Sequence, residues 1–235
     1  MRILSVVFAL LLLPVASWAQ DNAGHLQKMN AFAIKPGYHM YQSNDFFDFW
    51  DIDEDDMSSF MFEMAYERKL NQSFGIEMGI GYFKSDETYH PFGLSSEIEI
   101  ENFYLSPTIK GYLPVCDYFY LYAGAGPDIY FTRGDYDLEG NIRGIAVDYS
   151  EDEEEFGFGG HVLGGMEFYI IPNPGPNQYD APLGVFIEYR HSWVEVDDVD
   201  EDTIDIVNQA LNEDFGPNNL DVGGSQIMAG LRWHF

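Results

Sequence analysis

The chain has 235 residues, with 40 acidic against 11 basic side chains and a formal net charge of −29. That acidity argues against nucleic acid as a partner, and a lone cysteine, Cys116, excludes an internal disulfide. Aromatics at 17% and 23 glycines suit strands and turns, and no later segment approaches the ~18 apolar residues of a spanning helix.

The first stretch, MRILSVVFALLLLPVASWAQ, carries a cation at Arg2, an apolar run from Ile3 to Leu13, Pro14, and the small-x-small sequence Ser17-Trp18-Ala19. This is the pattern of a secretory signal peptide cleaved after Ala19, its apolar run being too short to span a membrane. The expected organisation is a signal peptide over 1–19 and a single domain over 20–235. An exported chain that enters a membrane without spanning helices must close into a barrel, because lipid offers backbone groups no other partner.

Eight strands are expected, near 31–41, 58–70, 74–85, 97–113, 118–132, 155–171, 183–195 and 223–235. Alternation is their common signature. In FGIEMGIGYF, Phe74, Ile76, Met78, Ile80 and Tyr82 oppose Gly75, Glu77, Gly79 and Gly81. In LYAGAGPDIYF, Leu121, Ala123, Ala125, Ile129 and Phe131 oppose Tyr122, Gly124, Gly126, Asp128 and Tyr130; FGFGGHVLGGMEFYI and LGVFIEYRHSW alternate in the same way. A soluble sandwich also alternates, so the content of the second face decides. Here it holds glycines and isolated charges of both signs: Glu63, Glu67, Glu77, Lys110, Glu167, Glu188, Arg190 and Arg232. Glycine weakens an exposed strand surface but suits a crowded barrel interior. The apolar face is therefore assigned to lipid, and Glu63, Glu77, Lys110, Glu167, Glu188, Arg190 and Arg232 to an ion-pair network inside. Pro36, Pro107 and Pro127 interrupt strands and are expected to mark bulges.

The connections alternate between short turns (NQS, PVCD) and long loops near 42–57, 86–96, 133–154 and 196–222, with a long Pro-rich turn PNPGPNQYDAP as the exception. Short turns belong to the periplasm and long loops to the outside. The acids concentrate in the long loops, which makes them either solvated surface or candidates for divalent cations that bridge to lipopolysaccharide. Asp198, Asp200 and Asp202 have the opening spacing of a calcium loop, yet Thr203 stands where glycine is needed and Gln209 where the closing Glu belongs; Asp51, Asp53 and Asp55 fail in the same way, with Asp56 and Phe62 at those places. In the first loop Phe46, Phe47, Phe49 and Trp50 form either a contact tip or part of the interfacial aromatic girdle. Tyr118, Phe119, Tyr120, Trp233 and Phe235 make the opposite belt. Ile204, Val207 and Leu211 at helical spacing predict a short helix over 203–213.

The chain closes on GGSQIMAGLRWHF, with Ile227, Ala229, Leu231, Trp233 and Phe235 on one face of a strand. This ending, with FEMAYERKL, YLSPTIKGYLP, YLYAGAGPDIYF and FIEYRHSW, resembles the small eight-stranded outer-membrane β-barrel proteins, the superfamily of the OmpA transmembrane domain, OmpX, OmpW and the opacity proteins. The resemblance covers nearly the whole mature chain. It implies a closed antiparallel barrel in the outer membrane of a Gram-negative-type envelope, with lipid and lipopolysaccharide as surroundings. It also implies that Ala229, Leu231, Trp233 and Phe235 form the signal read by the barrel assembly machinery.

Enzymatic motifs are sparse. Lipid A deacylases place histidine and serine two apart on one strand face, whereas His191 and Ser192 are adjacent and point to opposite faces. His161 and His234 lack a third metal ligand and are assigned as polar fillers. No cofactor, metal site or enzymatic activity is expected. The expected role is structural or interactive at the cell surface through the acidic loops. The alternative is passage of small hydrophobic molecules, as the resemblance to the OmpW-like branch implies, because eight strands leave an interior filled by side chains rather than an open pore.

Overall fold

Strands whose two faces differ so sharply in polarity can satisfy both only by separating lipid from an enclosed polar interior. In a computed structural model the protein does this with an all-β barrel, described over residues 30–42, 57–71, 73–89, 95–116, 118–142, 145–170, 183–196 and 220–235. The expected signal peptide, the aromatic group Phe46, Phe47, Phe49 and Trp50, and the expected helix over 203–213 lie outside the described residues.

The strands are β1 (Asn30–Tyr41), β2 (Ser59–Lys69), β3 (Phe74–Tyr89), β4 (Ser95–Cys116), β5 (Phe119–Ile142), β6 (Ile145–Tyr169), β7 (Leu183–Val196), the two-residue β8 (Leu220–Asp221) and β9 (Gly224–His234). Each long strand pairs antiparallel with its sequence neighbour, and β9 closes the ring by pairing with both β7 and β1. The short β8 lies on the end of β7, Glu195 opposite Asp221 and Val196 opposite Leu220. Barrel closure thus uses eight strands and leaves no edge within the ring.

Burial follows the alternation. Along β1, Ala31, Ala33, Lys35, His39 and Tyr41 are buried, while Phe32, Ile34 and Tyr38 are exposed on the outside. On β9, Gln226, Met228, Arg232 and His234 point inward and Ile227, Leu231 and Trp233 outward. Aromatic pairs mark the two ends of the outer apolar band. Phe119 stacks on Phe168 and Trp233 packs against Phe235 at the end holding both termini. Tyr38 meets Phe60, Tyr82 meets Phe103, and Phe131 meets Phe156 at the other end. Beyond this upper belt the outer face becomes charged, with Lys84 bridging Glu99 and Glu101 and Arg133 bridging Asp135. The outer face thus switches from aromatic to ionic residues beyond this belt.

Two expectations are corrected. The prolines do not shift the register. Pro36 stays opposite Phe62 and Pro107 opposite Met78, and the one register shift in β4–β5 falls between Pro114 and Cys116. The β4–β5 ladder skips from Leu105↔Ile129 to Ile109↔Ala125, so Pro107 and Pro127 cost bonds without adding a residue to either strand. Gly126 lets the strands stay close there, since a Cβ would run into the Pro107 carbonyl oxygen.

The expected loop over 133–154 is instead a hairpin whose register runs unbroken from Phe119↔Phe168 to Ile142↔Ile145. Alternation is present there, Tyr136 and Leu138 standing among Asp135, Asp137 and Glu139, and Ile145, Val147 and Tyr149 among Ala146, Asp148 and Ser150, but the density of acids gives it the composition of a loop. At 24 and 25 residues, β5 and β6 are twice as long as β1, at 12, although about 9–11 tilted residues suffice to cross a bilayer. The surplus of β3 to β6 rises outside as a sheet.

Candidate functional site

The lumen is the most elaborately built part of the molecule, and it is ordered in layers. At its centre the Lys35 ammonium lies 2.8 Å from Glu63, 2.6 Å from Glu77 and 2.9 Å from Glu188. Lys110 also binds Glu77 and Glu188, at 2.7 and 2.9 Å. Arg190 caps Glu63 with Nη1 at 2.7 Å from Oε2, and the Tyr104 hydroxyl donates to the same oxygen at 2.9 Å. Every one of these side chains is essentially inaccessible. Glu63, Glu77 and Glu188 bring carboxylate oxygens within 4.8 Å of one another. That spacing suits a cation, and Lys35 supplies it.

Toward the periplasmic end Arg232 joins this layer to the next. Its Nη2 lies 3.2 Å from Glu77 and its Nη1 2.7 Å from Glu167, with Glu67 at 3.7 Å from Nε. Glu167 also meets His234 Nε2 at 2.7 Å. Lys69 stands over the rings of Tyr112 and Tyr120, at 4.7 and 5.6 Å from their centroids. The seven residues expected to share the lumen, Glu63, Glu77, Lys110, Glu167, Glu188, Arg190 and Arg232, are thus contiguous through Arg232 and Glu77.

Above the centre lies a neutral polar layer. His161 is held between Asp128 Oδ1, 2.8 Å from Nδ1, and Thr108 Oγ1, 2.9 Å from Nε2, while Ser106 donates to the same Asp128 oxygen. Hydroxyl, imidazole and carboxylate stand in the order of a catalytic relay. All three are 1–2% exposed, so the group serves the lumen as a satisfied polar cluster. The top is closed by Met57, Ile98, Ile100, Val194, Val196 and Val222, fully buried and packed with Phe83, Tyr104 and Tyr130.

His191 and Ser192 fall on opposite sides of the wall: Ser192 is buried in the lumen and His191 half-buried outside. Leu231, Trp233 and Phe235 of the expected assembly signal are exposed on the outer face of β9 and at its end. Lys35 and Tyr104 were missed by the sequence reading. The alternation Ala31, Ala33, Lys35, Gly37, His39 along β1 would have found the first.

An apolar band outside, aromatic belts at both ends and charge pairs inside define an integral outer-membrane β-barrel protein. The profile of the outer membrane protein beta-barrel domain matches residues 5–235, and the chain belongs to that family. Nothing among curated proteins matches the chain. Among solved structures it is similar to Ail, the attachment invasion locus protein of Yersinia pestis, at 14% identity over 89% of this chain and all of that one, with a TM-score of 0.44. It is also similar to the outer membrane protein OprG of Pseudomonas aeruginosa, at 12% identity over 89% and 97% with a TM-score of 0.47. For Neisserial surface protein A the identity is 12% over 88% and 97%, and the TM-score 0.43.

Removing one partner of a buried pair is far more damaging than never having had the pair. Arg190→Ala strips Glu63 of its closest guanidinium contact and is expected to lower barrel stability by about 3–5 kcal/mol, read from the urea unfolding midpoint in lipid vesicles. Arg190→Met combined with Glu63→Leu is expected to recover most of the loss.

Proposed function

We propose that the protein works at the cell surface through the sheet that β3 to β6 raise above the membrane. One observation carries this reading. Pairing of β6 with β7 begins at Phe158↔Glu195, so among the described residues the stretch from Ile145 to Gly157 is paired on its β5 side alone. An edge of that length is a template for an added strand. Its sequence contains Asp148, Glu151, Asp152, Glu153, Glu154 and Glu155, which favours an extended basic segment as the partner. The same carboxylates suit divalent cations that link the sheet to lipopolysaccharide phosphates. Joining Arg133 to Glu154 through an Asn-Gly turn removes the upper hairpin while keeping the barrel. A lysine-rich extended peptide is expected to bind the full protein in nanodiscs, more weakly as salt rises, and to lose that binding in the shortened variant. Equal affinity for both would overturn the reading.

A second reading, passage of small hydrophobic molecules, draws on the apolar top of the lumen, where Ile98, Ile100, Val194 and Val196 face inward. The ion pairs beneath leave such a molecule no continuous path. Planar bilayers holding the refolded protein are expected to stay electrically silent, and discrete steps blocked by small hydrophobic compounds would favour passage.

Ala229, Leu231, Trp233 and Phe235 are proposed as the address read by the barrel assembly machinery. Phe235→Ser is expected to reduce the amount of heat-modifiable barrel in the outer membrane, and a normal amount would count against that role.

A further inference from the structure

On the lipid-facing side of the barrel, β7 and β9 bring together three polar side chains that the lumen does not use. His191 and Ser225 are direct cross-strand partners. Ser225 Oγ lies 3.2 Å from His191 Nδ1 and 2.9 Å from the Tyr189 hydroxyl. The imidazole is held edge-on to Trp193, with ring centroids 4.6 Å apart. Beside the group, the carboxylate of Asp221, on β8, accepts a hydrogen bond from the Gly223 amide at 2.8 Å.

The position of this group matters as much as its composition. Below it the same face carries Ile187, Ile227 and Leu231, each about half exposed to lipid. Above it come Trp193 and the exposed Glu195. The group therefore stands at the outer edge of the apolar band, where the ester carbonyls of outer-leaflet lipids lie between acyl chains and headgroups. Both His191 and Ser225 are partly exposed, in contrast to the sealed relay of Thr108, His161 and Asp128. A lipid can reach them by lateral diffusion without entering the barrel.

We propose that Ser225, His191 and Tyr189 form an esterase site for acyl esters of outer-leaflet lipids. Ser225 Oγ attacks the ester carbonyl carbon while His191 Nδ1 takes the hydroxyl proton. The Tyr189 hydroxyl donates a hydrogen bond to the carbonyl oxygen as it gains negative charge. The carbon–oxygen bond to the alcohol breaks, and His191 returns its proton to the departing oxygen. Water then attacks the acyl-serine, His191 accepts its proton, and the acyl–Oγ bond breaks with reprotonation of Oγ. The products are a free fatty acid and the lipid lacking one chain. Two-residue spacing of histidine and serine on one strand is one way to share a face; direct cross-strand pairing is another, and it explains why neighbouring residues in sequence did not show it.

The test uses full-length protein folded in two kinds of vesicle, one of phosphatidylethanolamine and phosphatidylglycerol and one also containing lipid A, with fatty-acid release measured by mass spectrometry. Labelling by a lipophilic fluorophosphonate, mapped by peptide sequencing, gives an independent readout. Release is expected from at least one vesicle type, which identifies the source of the ester, and the label is expected on Ser225. Ser225→Ala should remove both signals while heat-modifiable mobility is kept, and Ser192→Ala, on the lumen side, should keep both. His191→Ala should slow release by about 10²–10⁴-fold. Folded wild-type protein that releases no fatty acid from either vesicle, or Ser225→Ala that still does, would overturn the proposal.

Discussion

Backbone amides and carbonyls in a bilayer have no water to bond, so a chain without spanning helices must pair every one of them around a closed ring. The rest of this structure depends on that requirement. Closure gives each strand an inside and an outside, and the side-chain period of two sends alternate residues to each. Apolar residues meet lipid without further arrangement. The inward residues must then be satisfied among themselves, in a space that eight strands leave only just wide enough for side chains.

The lumen meets that demand by layering. Lysines and arginines are set among the glutamates at the centre and lower end, a hydroxyl–imidazole–carboxylate cluster lies above, and aliphatic and aromatic side chains close the top. Buried ion pairs are weak evidence for stability, since their desolvation offsets most of the attraction. They do fix which strand lies opposite which, because a one-residue slip would carry a charge out to lipid.

The barrel was legible because its signal is periodic: glycines and single charges alternate with apolar residues in at least five strands, and the face holding Glu77, Glu188, Arg190 and Arg232 could be named from sequence. The upper halves of β5 and β6 were not, because their dense acids give a short alternation the composition of a loop. The prolines misled for a related reason. A missing donor suggests a bulge, but with Gly126 beside it the ladder tolerates a gap. The lipid-side pairing of His191 with Ser225 depends on strand order and register, linking residues 34 positions apart, and no local pattern reveals it.

Arg232 sits on β9, the strand that closes the ring, and it pairs with Glu77 from β3 and Glu167 from β6. A sheet lacking that strand would leave Glu167 without Arg232 and His234, and Glu77 with only Lys35 and Lys110. Partial barrels are thereby excluded on electrostatic grounds, beyond the open edges they would expose. Ring closure is therefore a pairing of charges as well as of backbone, with the closing strand supplying the guanidinium that ties β3 to β6.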